Sequence, residues 1–155
     1  MTKKIDLAKA PTGEGTRYPA EHAGPCLTRR WVKLGDAAGL TQFGVNLVTL
    51  PPGAWASQRH WHSHEDEFVY VLDGELVLVT DAGEETLGPG DCAGFPAGVP
   101  DGHHLQNRSS APARFLVVGS RDDRDVGEYS DIDMRALAGR YTGGGGFRRK
   151  DGSSF

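Results

Sequence analysis

The feature that most limits what this chain can fold into is how evenly it is broken. Glycine or proline holds one position in five, 22 and 9 of 155 residues, against about 12 % in an average chain. Four glycines form one run, 143–146, but the rest are spread along the whole length. An interior Gly disfavours a helix by about 1 kcal/mol relative to Ala, and a Pro by about 3. Such a distribution argues against helical bundles and coiled coils. Short strands joined by tight turns accommodate it.

From Thr28 onward the runs between breakers read as strands: TRRWVKL, LTQFGVNLVTL, WASQRHWHSH, EFVYVL, ELVLVT, HHLQNRS and ARFLVVGS. They are rich in Val, Thr and aromatics, and turn residues separate them at intervals of about ten, as in an all-β sandwich or barrel. The chain divides into an irregular N-terminal arm (1–27), a barrel (28–120) and a C-terminal tail (121–155) expected to wrap the outside of the sheet. In EFVYVL both faces are apolar, with Val69 and Val71 beside Glu67 on one and Phe68, Tyr70 and Leu72 on the other. That pattern predicts a strand buried on both sides. In the tail, DIDMRALA predicts one or two helical turns, with Asp131 or Asp133 as cap and Gly139 as stop. The glycine run reads as a flexible joint before the basic end Arg148, Arg149 and Lys150, which is either solvated or folded over the barrel onto an anion.

Charge and cysteine content narrow the partners. A net charge of -4 and a pI of 5.8 oppose binding to nucleic acid or to an anionic membrane. No leader-like apolar segment and no run of about 20 apolar residues is present, so a cytoplasmic location is expected. Cys26 and Cys92 read as free thiols in a reducing compartment, and the length supports one domain without disulfide staples.

Five of the six histidines fall in two windows, RHWHSHEDE and GHHLQN. On a strand, alternate side chains share a face about 7 Å apart. His60 and His62 therefore point the same way and Trp61 the other. Glu67 has the opposite parity, so a turn or bulge is needed within 63–66. Imidazoles with one carboxylate suit one divalent transition metal, Zn, Fe, Mn, Ni or Co. His103 shares a face with Leu105 and Asn107, and His104 points away. His64, in the turn, reads as a surface residue or a neighbour of the site. Gln58 has the parity of His60 and faces either the barrel mouth or solvent.

Gly53, His60, His62, Glu67 and Gly74, followed by Gly90, Pro96, Gly98, His103 and Asn107, together resemble the two sequence motifs of the cupin superfamily. One extra residue stands between Gly53 and His60, and two between Gly98 and His103. The resemblance implies a double-stranded β-helix, or jelly-roll, barrel with a metal inside. Its implied ligands are His60, His62, Glu67 and His103, with His104 the alternative to His103. The whole-chain pattern is similar to small bacterial cupins described as sugar phosphate isomerases. It implies a small-molecule isomerase acting on a sugar-phosphate-like substrate, assembled as a homodimer. An Fe(II)-dependent dioxygenase and a non-catalytic metal- or ligand-binding sensor module are the alternatives.

Overall fold

The strand runs become the walls of a barrel. The computed structural model describes residues 4–155. In chain order the strands are β1 (Thr12–Glu14), β2 (Arg30–Lys33), β3 (Phe43–Leu50), β4 (His60–His62), β5 (Glu67–Asp73), β6 (Leu76–Thr80) and β7 (Gly83–Leu87). There follow β8 (Cys92–Phe95), β9 (His104–Gln106), β10 (Ala113–Ser120), β11 (Gly127–Tyr129), β12 (Arg135–Ala136) and β13 (Phe147–Arg148). The longest α-helices among the described residues have four residues, Ala20–Ala23 and Leu34–Ala37.

One wall is the antiparallel sheet β1-β2-β3-β10-β5-β8. The other is made of β13-β12-β11-β4 and β7-β6-β9, joined by a bridge between His60 and His103. This is a jelly-roll. Leu50, Val71, Leu76 and Phe115 pack between the walls at 1 % exposure or less, with Val69, Leu78 and Leu105 around them. Asn107 is buried there too. Its Nδ2 donates to the Leu50 and Ala111 carbonyls, both at 2.8 Å, so a polar side chain ties two loops without an unmet bond.

Gly74 shows why the breakers sit where they do. Its φ is +77°, and a Cβ there would lie 2.6 Å from the Ala113 Cα. The β5–β6 turn thus needs both the left-handed conformation and the missing side chain.

The structure departs from the sequence reading in four places. β5 is buried on its inner face alone; Phe68, Tyr70 and Leu72 are 42, 39 and 40 % exposed. Apolar residues on both faces marked a second apolar surface here, not a second core. Residues 131–138 form no helix. Arg135–Ala136 pairs with β11 on one side and β13 on the other, so sheet pairing overrides weak local propensity. Likewise, the glycine run is a defined turn, in which the Gly144 and Gly145 amides donate to the Gly139 and Ala138 carbonyls at 2.8 and 2.9 Å. Finally, the tail extends a wall rather than lying over it, because β11 pairs with β4. Arg59 clamps it there through Asp131 at 2.6 and 2.9 Å.

Candidate metal centre

β4 is only three residues long, yet it sets the site. His60 opposes Tyr129 and His62 opposes Gly127 across the β4–β11 ladder. The chain then turns within 63–66, and Glu67 enters β5 on the inner face. His60 Nε2 and His62 Nε2 lie 3.1 Å apart. Glu67 Oε2 stands 3.6 Å from His62 Nε2 and 4.0 Å from His60 Nε2. The ligand atoms of His60, His62 and Glu67 all lie within 4.8 Å of one another, a group that could hold a metal ion. His103 approaches from the Glu67 side, with its Nε2 3.4 Å from the same carboxylate oxygen, and stacks on Phe95 at a centroid distance of 3.6 Å.

The histidines are turned by their second nitrogens. His60 Nδ1 donates to the Gln58 carbonyl at 2.8 Å, and His62 Nδ1 pairs with Asp125 Oδ2 at 2.7 Å. Carbonyls and carboxylates only accept, so each Nε2 is free to face the group. Burial pushes the His60 pKa down, and the neighbouring charge of His62 pushes it further. Burial also opposes a charge on His62, but Asp125 and Glu67 outweigh it and raise the pKa. Glu67 lies well below the usual carboxylate range despite its burial, because His103 and His62 bond to it. Inward imidazole nitrogens of fixed tautomer around an ionised carboxylate form a donor set that fits a first-row divalent ion.

Other sequence candidates are placed elsewhere. In His104, Nδ1 contacts the Ser57 carbonyl at 2.9 Å and Nε2 the Gln106 amide at 2.8 Å, so both nitrogens are engaged away from the group. His64 is exposed and bonds Ser63 Oγ. Gln58 is buried and donates to the His22 carbonyl at 2.7 Å, tying the arm to the barrel. Arg149 pairs with Glu21 at 3.2 Å, and the basic end does not line the main cavity. Cys26 is buried, Cys92 is exposed, and both are free thiols.

Asp125 was not legible as a site residue. It is 2 % exposed and accepts from His62, from the His64 amide at 2.9 Å and from Arg140 at 3.0 Å. Nearby Glu65 accepts from the Tyr141 hydroxyl at 2.7 Å and lies 3.6 Å from Arg140. His62, Glu65 and Asp125 are close enough to hold an ion themselves, but the Arg140 guanidinium already supplies the cation. The turn of the glycine run follows directly on Arg140 and Tyr141.

The group opens into a cavity of about 920 Å³ that also reaches Tyr18, Arg29, Asn46 and Tyr129. The Tyr129 ring lies 5.5 Å from the His60 ring and 5.6 Å from that of Tyr18.

Residues 46–119 match the family model described as a cupin domain. A solved structure from Silicibacter pomeroyi, a sugar phosphate isomerase of the cupin superfamily, is 50 % identical. The match covers 99 % of this chain and 96 % of that one, with a TM-score of 0.92. A candidate sugar phosphate isomerase from Acidithiobacillus ferrooxidans is 30 % identical over 90 % of each chain, TM-score 0.75. The polyketide cyclase RemF from Streptomyces resistomycificus is 28 % identical over 79 % of this chain and 81 % of its own, TM-score 0.62. No curated protein matches the chain.

Proposed function

Because this chain belongs to the cupin superfamily, we propose that it is a metal-dependent isomerase acting on a small, phosphorylated hydroxy compound of the sugar-phosphate kind. One observation carries the reading: the candidate metal group shares its cavity with Arg29, a half-buried guanidinium that pairs with no carboxylate among the described residues. Lys33, Arg121 and Arg140 of the same lining, by contrast, meet Asp36, Glu65 and Asp125. A bound divalent ion would add positive charge beside Arg29. Such a cavity favours an anionic substrate. The similarity to the Silicibacter pomeroyi isomerase supports the same class.

A divalent ion held by His60, His62 and Glu67, with His103 beside them, would polarise a substrate carbonyl or its neighbouring hydroxyl and ease removal of the adjacent proton. The chain's own groups do the positioning. Gln58 and Asp125 hold His60 and His62 with Nε2 inward. Phe95 fixes the ring plane of His103. Burial raises the pKa of the Tyr18 and Tyr129 phenols. Tyr129 donates its proton to the Tyr18 oxygen, which leaves the Tyr18 hydroxyl to serve as a donor to substrate oxygens rather than as a base. Incubating metal-loaded protein with aldose and ketose phosphates in D2O tests the reading. Deuterium should enter the carbon next to the carbonyl as the isomer forms. Absence of exchange at full metal loading would end it. Ligand-induced stabilisation without turnover would then point to a binding module, and iron-dependent oxygen consumption to a dioxygenase.

The reading extends to a homodimer in the cell interior. In support, Phe68, Tyr70 and Leu72 stand exposed on β5, and Leu116 opposes Tyr70 on β10 as Val118 opposes Phe68. An apolar sheet face can cover itself across a two-fold axis. Sedimentation should give twice the chain mass, and Tyr70→Lys should give the chain mass. A monomeric wild type would remove the dimer and leave the chemistry untouched.

A further inference from the structure

The cations of the cavity are not equivalent. Lys33 and Arg121 share Asp36, and Arg140 lies between Glu65 and Asp125. Arg17 is exposed. Arg29 is half-buried and, among the described residues, pairs with no carboxylate. Its Nε donates to the Gly15 carbonyl at 2.8 Å and its Nη1 to the Ala56 carbonyl. Both acceptors are neutral, and they leave three of five N–H donors of the guanidinium unassigned. A half-buried cation without a counter-charge is costly, and an arriving anion offsets that cost. The guanidinium is also held still: it lies over the Trp31 ring at 5.3 Å from the centroid. Trp31 in turn packs against Gly13, where a Cβ would come within 2.4 Å of the indole.

Tyr18 supplies a second donor: it lines the same cavity, three residues after the Gly15 whose carbonyl accepts from Arg29. The Tyr129 hydroxyl donates to the Tyr18 oxygen at 3.4 Å. Tyr18's own proton has no acceptor among the described residues, and burial keeps it on the phenol. Arg29 lies near enough to bias both phenols electrostatically. The Tyr129 ring lies 5.6 Å from the Tyr18 ring and 5.5 Å from the His60 ring.

We propose that Arg29 and Tyr18 form an oxyanion subsite that holds the phosphate of the substrate, while the other end of the substrate reaches His60, His62 and Glu67. This rests on the isomerase reading for the identity of the ligand, but not for the existence of the subsite. A phosphomonoester carries a charge of about -1.5 to -2 at pH 7 and three acceptor oxygens. A fixed guanidinium suits that group better than a lysine does.

The test is calorimetric titration with inorganic phosphate, on the metal-loaded protein and again after chelation. Wild type should bind phosphate in both states. Arg29→Met should weaken binding at least tenfold and Tyr18→Phe about threefold, both with unchanged metal content. Arg121→Met, at a cation already paired with Asp36, should change it less than twofold. If Arg29→Met does not fold, Tyr18→Phe decides. Wild-type affinity in both variants, or binding that disappears on chelation, would overturn the subsite. Failure of deuterium exchange with phosphate binding still dependent on Arg29 would overturn the isomerase and leave the subsite standing.

Discussion

At the scale of single residues, the centre depends as much on what holds the histidines as on the histidines. Asp125 aims His62, and removing the partner of a ligand imidazole typically weakens metal binding 10- to 100-fold. Asp125→Asn should do so in a competition with a chromophoric chelator, whereas Asp122→Asn, at a half-buried acid bonded to the exposed Arg124, should not. The same pair sets a pH dependence. In the metal-free protein the pKa of His62 is raised above its unfolded value of about 6.5. Its stabilising contribution is therefore complete below that value and lost as pH rises through the raised one. A ligand imidazole must be unprotonated, so metal binding at neutral pH should release a proton, read with an indicator dye in weak buffer. No proton release would contradict the charge assigned to His62. None of this was readable beforehand, because Asp125 stands 63 positions from His62 in an acidic stretch that looks solvated. The alternation of His60 and His62, by contrast, is local and was legible.

At the scale of elements, breakers and strands work as one pattern. Gly74→Ala would place a Cβ against the Ala113 backbone in a left-handed turn, and such a substitution costs more than about 1 kcal/mol. The melting temperature should fall by at least about 2–4 °C. An unchanged value would mean that the β5–β6 turn can relax. Strands β2, β3, β5, β6 and β10 could be read from the sequence because each carries β-branched or aromatic residues between turn signals, and β4 and β9 because they lie in the two histidine windows. Strands β1, β11, β12 and β13 could not. They have two or three residues each, too few to show a period, and they exist through pairing with distant strands. The exposed face of β5 misled for a related reason. Alternation shows which residues share a face, but not whether anything covers it.

At the scale of the whole molecule, arm and tail both return to the cavity. The arm brings Tyr18, the tail brings Tyr129, Arg140 and Tyr141, and Phe147 on β13 meets the Tyr18 ring at 5.3 Å. The barrel alone would supply the metal group, with Gln58 and Phe95 behind His60 and His103, but without Asp125, the partner of His62. The central claim is that His60, His62 and Glu67, with His103, hold one divalent metal in this cavity. Elemental analysis of protein prepared without a histidine tag, beside His62→Ala prepared in parallel, tests it most directly. About one equivalent of a first-row metal per wild-type chain and little in the variant is the expected result. A wild type that carries no metal, and whose melting temperature no added divalent ion raises, would contradict it.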